Sequence, residues 1–132
     1  INDGVIEGYC GLYDAGLAQS IEIWDGEQLV GGLYGVQLGR GFFGESMFSL
    51  RTDVSKMAFL VLMRLCAAAR FPWVDCQLPN NHLMSLGATT VTRQQFLSQL
   101  PQVIHATAPD WTRFQSQHYQ VVQLLDESLF MA

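Results

Sequence analysis

An α+β fold follows from three features of the sequence. Apolar residues alternate on both sides of an Asp-Gly pair, the pattern switches near residue 54 to a run that is apolar almost all round, and a short strand-like segment follows. With 132 residues, the chain is long enough for one domain with its own core. Apolar residues at 49% against 14% charged exclude a disordered chain and require a filled interior.

In chain order, residues 3–15 place Val5, Ile6, Tyr9, Leu12 and Tyr13 at helical spacing, with Gly16 where a helix would close. In QSIEIW, Ile21 and Ile23 alternate with Ser20, Glu22 and Trp24; Asp25-Gly26 then leads into QLVGGLYGVQL, which predicts a hairpin. A third strand, FFGESMFSL, follows Gly39-Arg40-Gly41, so the middle of the chain is an antiparallel meander. From Val54 to Arg70 the period becomes helical, with Thr52 or Asp53 as N-cap and Phe71-Pro72 as the stop. Its apolar character predicts a helix buried against the sheet. Beyond it the patterns predict a strand Trp73–Leu78, a short helix in NNHLMSLG ended by Gly87, a strand in ATTVT, and a helix RQQFLSQL ending before Pro101. The chain is therefore read as a single globular unit. Residues 101–132, with Trp111, Phe114, Tyr119 and Leu124-Leu125, are an amphipathic extension without a motif to assign its role.

The net charge of -5 does not advertise a nucleic-acid binder, but the distribution is uneven. Residues 1–35 carry six acids and no base, and residues 36–100 carry six bases and three acids. Cys10, Cys66 and Cys76 are far apart and odd in number, which suggests neither a disulfide framework nor a zinc knuckle and fits a reducing, cytoplasmic setting. The apolar run Met57–Met63 is far shorter than the roughly 20 residues a bilayer span needs. The start lacks the pattern of a signal peptide and does not begin with Met, as expected of a fragment or processed product. His82, His105 and His118 have no acidic companion at ligand spacing, so no metal is expected.

Two strands carry polar side chains in apolar company. The two-residue period puts Trp73, Asp75 and Gln77 on one face of the predicted strand and Val74, Cys76 and Leu78 on the other. Asp75 and Gln77 then stand side by side, either as a site or as a structural pair tied to Asn80 or Asn81. In FFGESMFSL the same period groups Phe43, Glu45, Met47 and Ser49, unless Gly44 supports a bulge that re-aims one side of the strand. Glu45 is then a lone carboxylate for a site, or the partner of Arg40, Arg51 or Lys56. Gly39-x-Gly41-x-x-Gly44 matches a dinucleotide fingerprint, but a strand continues where a helix must open, so it cradles no phosphate.

The strings SIEIWDGEQLVGGLYGVQLGRGFFGESMFS, VSK, DCQ and NHLMSLGA, in this order, resemble the catalytic domain of the leucyl/phenylalanyl-tRNA protein transferases across about three quarters of the chain. The resemblance implies a GNAT-like acyltransferase fold and a cytoplasmic enzyme of the N-end rule. Such an enzyme moves Leu or Phe from the 3′ end of an aminoacyl-tRNA to the N-terminal Arg or Lys of an acceptor protein, marking it for degradation, with no cofactor. It also implies a further N-terminal domain, ahead of residue 1, that helps hold the tRNA end. Asp75 and Gln77 fall on the family's DCQ pair and Glu45 on the Glu of GESMFS, which implies catalytic roles for all three. By the same alignment, Leu33, Phe42, Met47, Phe59, Leu62 and Val74 line the pocket for the Leu or Phe side chain.

Gln77 would accept a hydrogen bond from the incoming amine, Asp75 would orient and polarise it, and Glu45 would hold the cationic acceptor. Arg40, Arg51, Lys56, Arg64, Arg70 and Arg93 stand as candidates for tRNA phosphates. The chain departs from the family with Val54 for the usual Ala, Asp53 for the usual Asn and Tyr13 for a frequent His. Two other readings are an acyl-CoA N-acyltransferase, which the glycine-free stretch Arg51–Lys56 opposes, and a non-catalytic module binding N-terminal or aminoacyl groups.

Overall fold

The computed structural model describes residues 2–77 and 79–111, and Phe114, Tyr119, Leu124, Leu125, His118 and Leu78 lie outside the described residues. In chain order it contains α1 (Asp3–Asp14), β1 (Ala18–Asp25), β2 (Gln28–Leu38), β3 (Gly41–Ser49), α2 (Val54–Ala68), β4 (Val74–Asp75), α3 (Asn81–Ser85) and α4 (Arg93–Ile104). The strands form one four-stranded sheet in the order β1-β2-β3-β4. β1, β2 and β3 are the expected antiparallel meander, and β4, reached through α2, runs parallel to β3. The architecture is α+β with a mixed sheet.

One face of the sheet receives α2. Ile21 and Ile23 of β1 pair with Leu33 and Gly31 of β2. A Cβ on Gly31 would lie 2.3 Å from Val54 Cγ1, so the missing side chain lets the first turn of α2 rest on the strand. α2 buries Val54, Ala58, Phe59, Val61, Leu62, Leu65 and Cys66, and each large apolar side chain so placed contributes about 1.5–3 kcal/mol. Its opposite side exposes Met57, Leu60 and Met63, so the helix is buried along one face rather than all round. Asp53 is the N-cap expected as one of two candidates, but it sits at φ 68 with no side-chain cap bond and pairs with Lys56 at 3.4 Å.

α1, α2 and α3 close in the same way: a residue of positive φ follows the cap, and the next N–H returns to the last turn. Gly16 (φ 78) with Leu17 N to Leu12 O at 2.8 Å, and Gly87 (φ 102) with Ala88 N to Leu83 O at 3.1 Å, use glycine as expected. At the end of α2 the same position is Arg70 (φ 61), with Phe71 N to Cys66 O at 2.8 Å and Arg70 N to Ala67 O at 3.1 Å. Phe71, already expected at the helix stop, joins the core there.

Three expectations are corrected. The strand Trp73–Leu78 shrinks to the paired residues Val74 and Asp75, because the Asp75 carboxylate accepts the N–H of Gln77 and turns the chain out of the ladder. ATTVT forms no strand. Its first residue closes α3, and its last, Thr92, caps α4 in a reciprocal capping box with Gln95. α4 does not stop before Pro101 but continues to Ile104. Proline removes one N–H bond there, and the buried Val103 together with the Arg40 N–H to Val103 O bond at 3.0 Å holds the last turn.

That last turn docks on the β2–β3 loop. Gly39 (φ 56) faces the carbonyls of Val103 and Ile104, which a Cβ would meet at 2.5 and 2.6 Å. The Arg40 guanidinium donates to the Ala69 carbonyl at the end of α2, where a cation also suits the helix dipole. Nearby, Gln37, only 3% exposed, is satisfied at both ends: it accepts the Trp111 indole N–H and donates to Gly39 O at 3.2 Å. Trp111 also tilts against Phe71, with ring centroids 5.6 Å apart. Residues 101–111 therefore pack against the meander.

Two stability outcomes follow. Arg70→Gly removes the Cβ strain of a left-handed residue and is expected to stabilise the protein by about 1 kcal/mol in urea unfolding, less the entropy glycine adds to the unfolded chain. Burial pushes the Cys66 thiol from 9.0 up to about 12. The unfolded thiol loses its proton from about pH 9 while the folded one keeps it, so this contribution is complete below pH 9 and declines toward about pH 12. The slope of unfolding free energy against pH above 9 should be shallower in Cys66→Ala than in the parent chain.

Candidate active site

The site begins with an irregularity in β3. Tyr34 pairs with Ser46 but Gly35 pairs with Gly44, so Glu45 is an extra residue in the ladder. Phe42 and Met47 are an odd number of positions apart and would face opposite ways on a regular strand. The bulge resets the alternation: Phe42 stands opposite Gln37 and Met47 opposite Leu33, both on the α2 face. The regular grouping of Phe43, Glu45, Met47 and Ser49 is thereby corrected, since Phe43 lies on the far face, edge-on to Trp73 at 5.8 Å between centroids.

Glu45 is exposed, and its carboxylate accepts the hydroxyl of Tyr9 from α1. Tyr9 is braced edge-on by Tyr34, with ring centroids 5.0 Å apart. Partial burial, then the Glu45 carboxylate, hold the Tyr9 phenol above the usual tyrosine range, so it remains a donor at neutral pH. The cations weighed as partners of Glu45 are engaged elsewhere. Arg40 caps α2, Arg51 bridges Asp25 and Gln28, and Lys56 pairs with Asp53.

Phe42 pairs with Val74 and Phe43 with Asp75, and there the parallel ladder ends. Val74 and Cys76 pack against the core, so alternation turns Asp75 to the opposite face. Past Asp75 the chain enters a turn. Asp75 Oδ1 accepts the Gln77 N–H at 2.8 Å, Gln77 adopts φ 69, and its Nε2 donates to the carbonyl of Gly44 at 2.9 Å. Asp75 and Gln77 are thus neighbours through a turn and not through a strand period. Asn80, weighed as their partner, caps α3 by accepting Leu83 N–H at 2.8 Å. Since Gly44 precedes Glu45, the three predicted polar residues gather where β3 bulges and β4 ends.

The six apolar candidates divide. Leu33, Phe42, Phe59 and Leu62 belong to one buried cluster, at 6%, 2%, 6% and 5% exposure, with Val74 packed against it. Met47 is 36% exposed beside Leu33. The apolar set fills the α2 side of the sheet, while Asp75 and the Tyr9–Glu45 pair lie on the other; they meet only at the short Phe42–Val74 and Phe43–Asp75 ladder. Burial, then the Asp75 charge, raise the Cys76 thiol, so it is held protonated beside the site.

Two residues were not singled out for the site by sequence. Tyr9 read only as part of an apolar helix face. Gly44 was noted for its bulge, without its carbonyl. Among the described residues, no three His, Cys, Asp or Glu side chains come together as metal ligands, and no helix is long and apolar enough to cross a membrane.

Comparison with known proteins finds a family and relatives for the chain. A family model described as Leucyl/phenylalanyl-tRNA protein transferase matches residues 1–101. Proteins named leucyl/phenylalanyl-tRNA–protein transferase are similar to the chain: that of Psychrobacter arcticus is 52% identical over 112 residues, covering 84% of this chain and 42% of its own. That of Legionella pneumophila (strain Corby) is 51% identical over 104 residues, 79% of this chain and 47% of its own. That of Hahella chejuensis is 50% identical over 100 residues, 76% of this chain and 43% of its own. The chain spans less than half the length of these curated relatives. The match runs through the meander, α2, the Asp75–Gln77 turn and most of α4, and the chain belongs to the leucyl/phenylalanyl-tRNA protein transferase family.

Proposed function

We propose that the chain carries the catalytic part of an aminoacyltransferase that moves Leu or Phe from the 3′ end of an aminoacyl-tRNA to the N-terminal Arg or Lys of a protein. The observation that carries this reading is the fixed Gln77 amide. With Nε2 committed to Gly44 O, its Oε1 is turned away from Gly44 as an acceptor. The acceptor's α-amine donates to Oε1, and its nitrogen attacks the ester carbonyl. The new amide C–N bond forms, the ester C–O bond to the ribose breaks, and the amine's proton ends on the departing hydroxyl. Positioning suffices because the ester is already activated. Asp75 acts by holding the turn through the Gln77 N–H. Glu45, steadied by Tyr9, takes the cationic side chain of the acceptor. The protonated Cys76 thiol favours direct transfer over a thioester intermediate.

The accessible part of the apolar set for the aminoacyl side chain is Met47, 36% exposed beside Leu33, whose flexible thioether suits both Leu and Phe, while Leu33, Phe42, Phe59 and Leu62 form the filled core behind it. An antiparallel meander followed by a helix and a parallel strand supports a GNAT-like plan for residues 1–100. Arg70 and Arg93, both exposed, are candidates for tRNA phosphates. Free Cys10, Cys66 and Cys76 fit a reducing cytoplasm, where N-end rule tagging operates.

Transfer of labelled Phe from Phe-tRNA to a peptide with N-terminal Arg tests the reading. Gln77→Ala and Asp75→Ala are expected to lower kcat by about 100-fold or more. Undiminished transfer in both variants removes the mechanism, and binding of the two substrates without turnover by the unaltered protein favours a recognition module. Tyr9→Phe deletes the hydroxyl that steadies Glu45 and should raise KM for the Arg peptide by roughly 5-fold with little change in kcat. An unchanged KM would remove Glu45 from acceptor binding.

A further inference from the structure

We propose that Gly44 is a positioning residue: its main-chain carbonyl decides which way the Gln77 amide faces. This rests on the reading of Gln77 as the acceptor of the amine's hydrogen bond. A carbonyl oxygen can only accept, so at 2.9 Å it demands the NH2 end of the amide. The flipped amide would set two oxygens against each other at that distance. Asp75 therefore fixes the backbone of Gln77 at 2.8 Å, while Gly44 fixes the side chain, and the two restraints are separate. The division of labour differs from one in which the Asp75 carboxylate orients the amide itself.

The bulge is what makes Gly44 available. It shifts the register of β2 against β3 between Tyr34–Ser46 and Gly35–Gly44, beside the point where β4 leaves the ladder after Asp75. The two strands approach closely enough that a Cβ on Gly44 would lie 3.3 Å from the Asp75 carbonyl oxygen. Alanine therefore presses the Asp75–Gln77 turn away by a few tenths of an ångström. The backbone of Gly44 lies outside the left-handed region, so alanine adds that pressure without dihedral strain.

The full chain carrying Gly44→Ala is compared with the parent. The expected result is a kcat roughly 10-fold lower, KM for Phe-tRNA and for the Arg peptide within about 2-fold, and a Tm close to the parent's. In NMR, the Gln77 side-chain proton donated to Gly44 should lose its downfield shift. A second variant keeps the test open if alanine disturbs folding. Gln77→Glu can donate to Gly44 O only when its carboxyl is protonated, so its rate relative to the parent at each pH should rise as pH falls. Full kcat in Gly44→Ala, or a flat ratio for Gln77→Glu, overturns the role of Gly44 and leaves the transferase reading standing. A parent protein that binds both substrates without transfer removes both, even with the NMR signature intact.

Discussion

A single inserted residue in β3 is the constraint on which the rest of the site depends. Without the bulge at Glu45, a strand that buries Phe42 would point Met47 away from α2 and leave Leu33 without its cross-strand neighbour. With it, one strand serves two faces. Phe42 and Met47 belong to the apolar side under α2, while Glu45 reaches Tyr9 on the α1 side. The same irregularity puts the Gly44 carbonyl within reach of Gln77. A device that is local in the backbone thereby joins an apolar wall, a carboxylate and an amide that sequence distance keeps apart.

The surrounding fold serves mainly to hold that junction still. Gln37 near the end of β2, with Gly39 and Arg40 on the β2–β3 turn, receives the ends of α2, α4 and the segment to Trp111. Several charges that could have met a polyanion are used internally: Arg40 at the end of α2, Arg51 between Asp25 and Gln28, and Lys56 on Asp53. Exposed pairs of this kind contribute little to stability, so their effect is chiefly to fix side chains and reduce free positive charge. The relatives this chain matches are more than twice the length it covers in them, and the exposed side of α2 at Met57, Leu60 and Met63 belongs to the matched portion.

Much of this was legible in the residues. Alternation of Ile21 and Ile23, the Asp-Gly turn and the closing glycines at Gly16 and Gly87 gave the meander and two helix ends, because period and left-handed glycine are local signals. Gly44 even marked the bulge as an option. What escaped reading was competition between local bonds and the ladder. An Asp two residues before Gln77 can end a strand by taking its N–H, and composition alone does not say whether it will. Val103 carries α4 past Pro101 for a tertiary reason, its fit against the Gly39–Gly41 loop. In the candidate site, DCQ drew Asp75 and Gln77 together, but strand period misplaced Gln77, which a turn and not a strand brings beside Asp75, and Tyr9 looked like one more apolar helical position because its hydroxyl partner lies on another element.

The most direct test is a crystal structure of the protein with a peptide bearing N-terminal Arg and a non-hydrolysable phenylalanyl-adenosine amide bound together. The account predicts the peptide's α-nitrogen at about 3 Å from Gln77 Oε1, with Nε2 still on the Gly44 carbonyl. An α-nitrogen out of reach of Gln77, or an amide turned so that its oxygen faces Gly44, would contradict it.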